Sequence, residues 1–327
     1  MEKRTLGKSG LRLSAVGLGC WAIGGLNWRQ GVSIGWEGAD DEESLRALRE
    51  AHGLGIDHLD TADVYGDGRS ERLIGRLLKE VPRDSVVLAS KMGWLAGSAD
   101  CAYEPVHMRH QLEQTLANLG TDHLDLYYFH NPYFGDGNAW IHEAAEQMHR
   151  FKQEGKIRAI GQSAYSFDEF AAVCPVTDPD VLQFRYCYLD VKYDDPEQDL
   201  FAWAEERNYG LVLFSPLGQG LLLDKYDPAD PPAFREGDNR RTRRLFSAEG
   251  LADLKPRLEK VKKRFGHSTD SLVRVAIQYG LARSRLAVSI PGFKNAEQVR
   301  MNAAADGRPL PADDVAFIRE TMAGLGE

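Results

Sequence analysis

Residues 55–75, GIDHLDTADVYGDGRSERLIG, read as one strand, one loop and the start of one helix. IDHLD is a short apolar run ending on an acid, DTADVYGDG has glycines and no periodicity, and SERLIG opens an amphipathic helix that Ser70 is placed to cap. A strand that hands over to a helix through a polar loop is one β-α unit. The rest of the chain repeats it.

Further apolar runs begin at 15 (AVGLG), 85 (SVVLAS), 123 (HLDLYYF), 156 (KIRAIG), 181 (VLQFRY), 210 (GLVLFS) and 285 (RLAVSI), making eight strands with the run at 56. Between them lie helical patterns, such as Met108, Leu112, Leu116 and Leu119, then Ile141, Ala145, Met148 and Phe151. Gly120 and Gly155 follow those helices where a left-handed residue ends a helix well. Several strands are apolar nearly throughout, as when helices cover one face and a packed interior the other. Pattern alone also fits an open doubly wound sheet, but eight strands with intervening helices predict a closed (β/α)8 TIM barrel over 1–327 as a single domain. KRTL and LRLS around GKSG predict an N-terminal β-hairpin closing the bottom, and 24–40 and 220–247 predict long loops at the C-terminal face.

Composition removes several classes. Forty Lys and Arg against forty-nine Asp and Glu leave a net charge of −9 over 327 residues, which disfavours a nucleic-acid or anionic-membrane surface. The one basic cluster, Arg240, Arg241, Arg243 and Arg244, reads as solvated loop, with a clamp on phosphates as the sharper alternative. No run is apolar enough for a membrane span, and MEKRTLGKSG has no apolar signal core, so a cytoplasmic protein is expected. Cys20, Cys101, Cys174 and Cys187 stand far apart, which predicts reduced thiols and no metal site.

Two motifs mislead. Gly17, Gly19 and Ala22 fit a dinucleotide fingerprint, yet residues 22–38 lack the periodicity of the helix that motif needs. Gly161-Gln162-Ser163 begins a nucleophile elbow, but Tyr165 stands where the closing glycine belongs.

Asp60, Tyr65, Lys91 and His130 all fall at or just past the ends of three successive strands, the face on which barrels build active sites. Each alone has an ordinary explanation as a cap, a rim aromatic, a snorkelling lysine or a loop histidine. Together they suit proton transfer coupled to hydride transfer. A tyrosine is a poor acid or base near neutrality unless a cation stabilises its anion, which Lys91 would supply, with Asp60 holding the ammonium and neutral His130 donating to a carbonyl oxygen.

On these residues the chain resembles an aldo-keto reductase, from the opening hairpin nearly to the C-terminus, with residues 55–75 close to that family's most specific signature. The resemblance implies a catalytic tetrad of Asp60, Tyr65, Lys91 and His130, with Tyr65 the proton donor in reduction.

FSPLGQGLL after the seventh run and IPGFKNAEQVRMN after the eighth stand where barrels commonly hold phosphate. The resemblance implies an NADP(H) site there. Ser215, Leu217, Gly218 and Gly220 would line the pyrophosphate, Lys294 and Asn295 the 2′-phosphate, Gln298 and Asn302 the adenine end, Phe214 would stack on the nicotinamide, and Gly292 would also contact the cofactor. Lys294 favours NADP over NAD, since a cation there complements the extra phosphate. Two positions depart from the family pattern: Ser163 is followed by Ala164 rather than asparagine, leaving Gln183 to reach the carboxamide, and Met301 stands in place of an acidic residue.

Trp21, Trp28, Trp94, Asn131 and Tyr133 closely follow strand ends and are expected around a small-molecule substrate, an aldehyde, ketone or sugar. The resemblance therefore implies an oxidoreductase interconverting carbonyl and alcohol without metal or flavin. A redox-sensing module that binds NADPH with little turnover, and a metal-free lyase or isomerase on the same barrel, are the alternatives.

Overall fold

The computed structural model describes residues 1–190, 193 and 197–325. The chain opens with β1 (Lys3–Thr5) and β2 (Arg12–Ser14), paired antiparallel as the expected hairpin. β3 (Leu18–Gly19) follows, then a small hairpin of β4 (Trp28–Arg29) and β5 (Val32–Ser33), then α1 (Asp41–Gly53). The barrel continues through β6 (His58–Asp60), α2 (Arg69–Leu78), β7 (Val87–Met92), α3 (Pro105–Leu119), β8 (Leu124–Phe129), α4 (Ile141–Gln153), β9 (Ile157–Ser163), α5 (Phe167–Thr177) and β10 (Val181–Arg185). It ends with α6 (Leu200–Glu206), β11 (Gly210–Phe214), α7 (Ala248–Phe265), α8 (Thr269–Leu281), β12 (Ala287–Ile290), α9 (Ala296–Ala303) and α10 (Ala312–Met322).

Among the described residues the central sheet runs β12-β11-β10-β9-β8-β7-β6-β3, every neighbouring pair parallel. Parallel bridges Val16–Ser289 and Gly19–Gly292 join its two ends. This is the (β/α)8 barrel that the eight runs predict, and the open-sheet alternative falls away. Ala89, Leu126, Tyr128, Ala159, Val181, Val212 and Val288 form one buried cluster with Leu6, Leu11 and Leu13 of the N-terminal hairpin. The hairpin is thus the floor of the barrel interior. Gly7 permits this: its φ is +51°, and a Cβ there would lie 2.3 Å from the nitrogen of Gly210. Arg4, 9% exposed, fastens the floor by donating to the carbonyls of Leu281, Ser284, Ala287 and Gly307.

Gly120 and Gly155 take the expected positive φ, +66° and +74°. Three expectations need correction. Ser70 does not cap α2, whose N-cap is Gly68; buried, it accepts from Thr61 Oγ1 at 2.8 Å and donates to the carbonyl of Cys20 at 2.9 Å, tying the ends of β3 and β6 together. The loop over 24–40 contains the β4–β5 hairpin. The 220–247 loop carries 3-10 turns at Asn239–Thr242 and Arg244–Phe246, and Arg240 is 4% exposed rather than solvated, sandwiched between the rings of Trp36 and Phe234 and paired with Asp238 at 2.7 Å.

Candidate active site

The pleat of β7 sends alternate residues to opposite faces. Ser90 points outward and donates to Glu71 of α2 at 2.8 Å; Lys91 points inward, fully buried. The Lys91 ammonium has three donors and uses all of them, on Asp60 Oδ1 in a short contact, on the carbonyl of Thr61 at 2.7 Å and on Tyr65 Oη at 3.3 Å. The second oxygen of Asp60 accepts from Gln183 Nε2 at 2.7 Å.

Tyr65 is carried by the loop after β6, which packs under the loop after β3. Gly66 makes the fit possible, with φ +62° and a Cβ position that would lie 2.1 Å from the carbonyl oxygen of Gly24. The Tyr65 ring stacks on Trp21 at 6.2 Å and meets the edge of His130 at 5.7 Å. Trp21 is held by its indole N–H on the carbonyl of Ile34. His130 follows β8, its backbone N–H on Met92 O at 2.8 Å and its ring 6.1 Å from that of Trp94.

Burial, with Lys91 and Arg29 nearby, drives the His130 pKa well below the ordinary histidine range, so the imidazole is neutral. Its buried Nδ1 has no hydrogen-bond partner among the described residues. Burial first, and the Asp60 carboxylate second, raise the Tyr65 hydroxyl well above 10. The Lys91 ammonium that touches the phenol oxygen is itself paired with Asp60, and at the phenol desolvation outweighs it. The phenol oxygen accepts from the ammonium and keeps its own proton to donate.

The other expected residues take varied positions. Ser163 and Phe214 end β9 and β11, and Gln183 lies within β10 with its amide nitrogen committed to Asp60. Ser215 has φ +55°, and Leu217 caps a 3-10 segment, Gly218–Leu223, in which Gly220 sits at a kink with φ +94°. Asn295 caps α9 by accepting from Gln298 N, and the Gln298 side chain accepts from Lys294 N, so both amides serve the helix start. Asn302 is buried and donates to Gly292 O. Met301 packs against Val16, Val273, Ile277, Leu281 and Ala305.

Lys294 Nζ lies beside Gly38, where a Cβ on that glycine would come within 3.2 Å of it. Its ammonium is disfavoured by desolvation and by Arg240, and that of Lys225 by desolvation, Arg240 and Lys294. Neither lysine forms an ion pair among the described residues. Partly dehydrated cations gathered without a carboxylate apiece suit a phosphate-bearing ligand.

Around the mouth, Trp28 and Tyr133 are 48% and 61% exposed. Asn131 is 3% exposed and spends its amide on Gly93 O and Tyr133 N, holding the loop after β8. Buried behind the tetrad is a polar layer that the sequence reading missed: Asp63 accepts from Gln111, and Glu71 accepts from Ser90 and Asn118. Its signal was present in the acids at 63 and 71 of the opening stretch, but their burial was not.

A barrel mouth with a proton-bearing phenol, a paired ammonium and a neutral imidazole around one point, near the cations of Lys225 and Lys294, has the chemistry suited to moving protons to and from a carbonyl beside a phosphate-bearing cofactor. The family model described as Aldo/keto reductase family matches residues 15–323, and the chain belongs to that family of carbonyl-reducing, nicotinamide-dependent oxidoreductases. It is similar to L-galactose dehydrogenase of Arabidopsis thaliana, 30% identical with 93% of this chain and 88% of the relative covered. It is also similar to the NADH-specific methylglyoxal reductase of Escherichia coli (strain K12), 29% identical with 99% of each covered. Among solved structures it resembles glycerol dehydrogenase from Gluconobacter oxydans, with TM-score 0.81, 25% identity, and 99% of this chain and 97% of that one covered. Among the described residues no helix is long and apolar enough to cross a membrane.

Proposed function

We propose that residues 1–327 form one NADP(H)-dependent catalytic unit that reduces an aldehyde, ketone or sugar carbonyl to the alcohol, or runs the reverse, with Tyr65 as general acid and base. The observation that carries this is the triple use of the Lys91 ammonium, which holds Tyr65 Oη as an acceptor and leaves the phenolic proton free beside a neutral His130.

When bound, the nicotinamide supplies a hydride. Tyr65 gives its proton to the carbonyl oxygen as negative charge develops there, and the Lys91 ammonium stabilises the phenolate left behind. Asp60 pairs with the ammonium and aims it at the phenol. His130 donates a hydrogen bond to the same oxygen and, being neutral, does not compete as an acid. In oxidation the Tyr65 phenolate, stabilised by the Lys91 ammonium, takes the alcohol proton. Trp21, Trp28, Trp94 and Tyr133 shape the substrate space.

Ser215, Leu217, Gly218 and Gly220 offer backbone to a pyrophosphate, with Lys225 adding charge. Ser163, Gln183 and Phe214 face the nicotinamide end, and Gly292, Lys294, Asn295, Gln298 and Asn302 the adenosine end. The E. coli relative is named for NADH, so the preference for NADP rests on Lys294 itself.

Titration with NADPH and NADH, followed by nicotinamide absorbance with a carbonyl panel, tests the reading. Tyr65→Phe should lower turnover by a factor of about 10² or more with NADPH affinity nearly unchanged. Unimpaired turnover overturns the role of Tyr65. Lys294→Ala should weaken NADPH binding by about tenfold more than NADH binding; equal losses mean that Lys294 does not read the 2′-phosphate.

A further inference from the structure

Arg29 stands on the β4–β5 hairpin at the mouth of the barrel. Its guanidinium carbon lies 4.9 Å from the centre of the Trp94 ring, and the same indole meets His130 edge-on at 6.1 Å. The guanidinium is close enough to His130 to disfavour its protonation. It forms no ion pair and no hydrogen bond among the described residues.

The cation is also held in position. Gln30 and Gly31 make the two-residue turn with φ +48° and +78°, and Arg29 pairs with Val32 across it. Just before it, Asn27 is 7% exposed and donates to the carbonyl of Val64 at 2.9 Å, the residue preceding Tyr65. Asn27 Oδ1 accepts from the backbone of Trp28 at 2.7 Å, and the Trp28 indole covers Gly237 of the opposite loop. The hairpin is therefore hooked to the loop that carries the proton donor, and an unpaired, stacked guanidinium is presented beside His130. Stacking desolvates one face of the group and leaves its edge of N–H donors for a planar or tetrahedral oxyanion.

We infer that Arg29 is the anchor for an anionic group of the substrate, so that the preferred substrates are carbonyl compounds bearing a carboxylate or phosphate a few bonds from the reacting carbon. This rests on the reductase reading above and narrows it. Trp94 forms the wall between the anchor and the oxygen-binding His130, which sets the reach required of the substrate.

The test compares matched pairs, butanal with 4-oxobutanoate and glyceraldehyde with glyceraldehyde 3-phosphate, using the full chain and NADPH. The native protein should favour the charged member of at least one pair in kcat/KM, the carboxylate or the phosphate pair naming which anion is read. Arg29→Gln should reduce that charged-to-neutral ratio by about tenfold or more, through KM, and Arg29→Lys should restore part of it. Raising the ionic strength should shrink the native ratio and leave that of Arg29→Gln nearly constant. Turnover of the neutral aldehydes with no preference for the charged partner, or a ratio that Arg29→Gln does not move, overturns the anion anchor and leaves the reductase reading intact. Absence of NADPH oxidation with all four compounds overturns both.

Discussion

Asp63 shows how one buried side chain couples the proton-donor loop to pH. One oxygen accepts from Gln111 Nε2 at 3.0 Å and the other has no side-chain partner among the described residues, and burial together with nearby Glu71 pushes its pKa up to about 8. The folded protein thus keeps a proton on Asp63 that the unfolded chain, titrating at its ordinary value of 3.8, has already released. More protons bound in the folded than in the unfolded state means that stability falls as pH rises through this window, with the full penalty present above it. Asp63→Asn removes the titration. The melting temperature of the variant relative to native should rise steadily between about pH 5 and about pH 9. Thermal unfolding across that range checks this, and a gap constant with pH means that Asp63 ionises alike in both states. Histidine acts in the opposite sense: buried His58 and His130 have lowered pKa values, so their contribution is complete above the ordinary histidine range and is lost as pH falls below it.

At the scale of elements, the barrel strands were readable because each is a short apolar run framed by helical periodicity. The floor hairpin was readable because GKSG separates two short segments of strand character. Leu6, fully buried on that floor, packs with barrel-interior residues such as Val212 and Val288. Leu6→Ala should therefore cost roughly 2–5 kcal/mol, seen as a lower urea midpoint with an unchanged slope. A loss well under 1 kcal/mol would mean that the hairpin floor collapses onto the cavity without penalty. The β4–β5 hairpin escaped the sequence reading because its strands are two residues long. What holds it is remote: Asn27 on Val64, Trp21 on Ile34, and the loop around Gly237.

At the scale of the molecule, the two long loops meet at the C-terminal face of the barrel. Gly35 bridges to Asp238, its N–H donates to Gly237 O at 2.9 Å, Glu37 N donates to Asp238 Oδ2 at 2.9 Å, and Arg240 stacks on Trp36 while neutralising Asp238. Removing the arginine leaves a buried carboxylate without its cation, which costs about 3–5 kcal/mol. Because the clasp joins 24–38 to 224–244 beside Lys294, Arg240→Met should open the two loops to limited proteolysis. It should also speed NADPH release by about tenfold in stopped-flow fluorescence, the equivalent of about 1.4 kcal/mol. Protection and release rates equal to native would show that the loops are held without it.

The sequence alone determined the order of the barrel strands and the helices between them, the hairpin floor and the grouping of Asp60, Tyr65, Lys91 and His130 at one end of the barrel. Periodicity and strand ends are local properties, and a parallel β/α barrel converts strand ends into a shared rim. Tertiary structure alone decided the burial of Asp63, Glu71 and Arg240, the structural use of Ser70 and Asn131, the upward shift of Tyr65, and the unpaired position of Arg29 beside His130. Each of these depends on which atoms from distant segments displace water around a charge, and the spacing of residues along the chain carries no record of that.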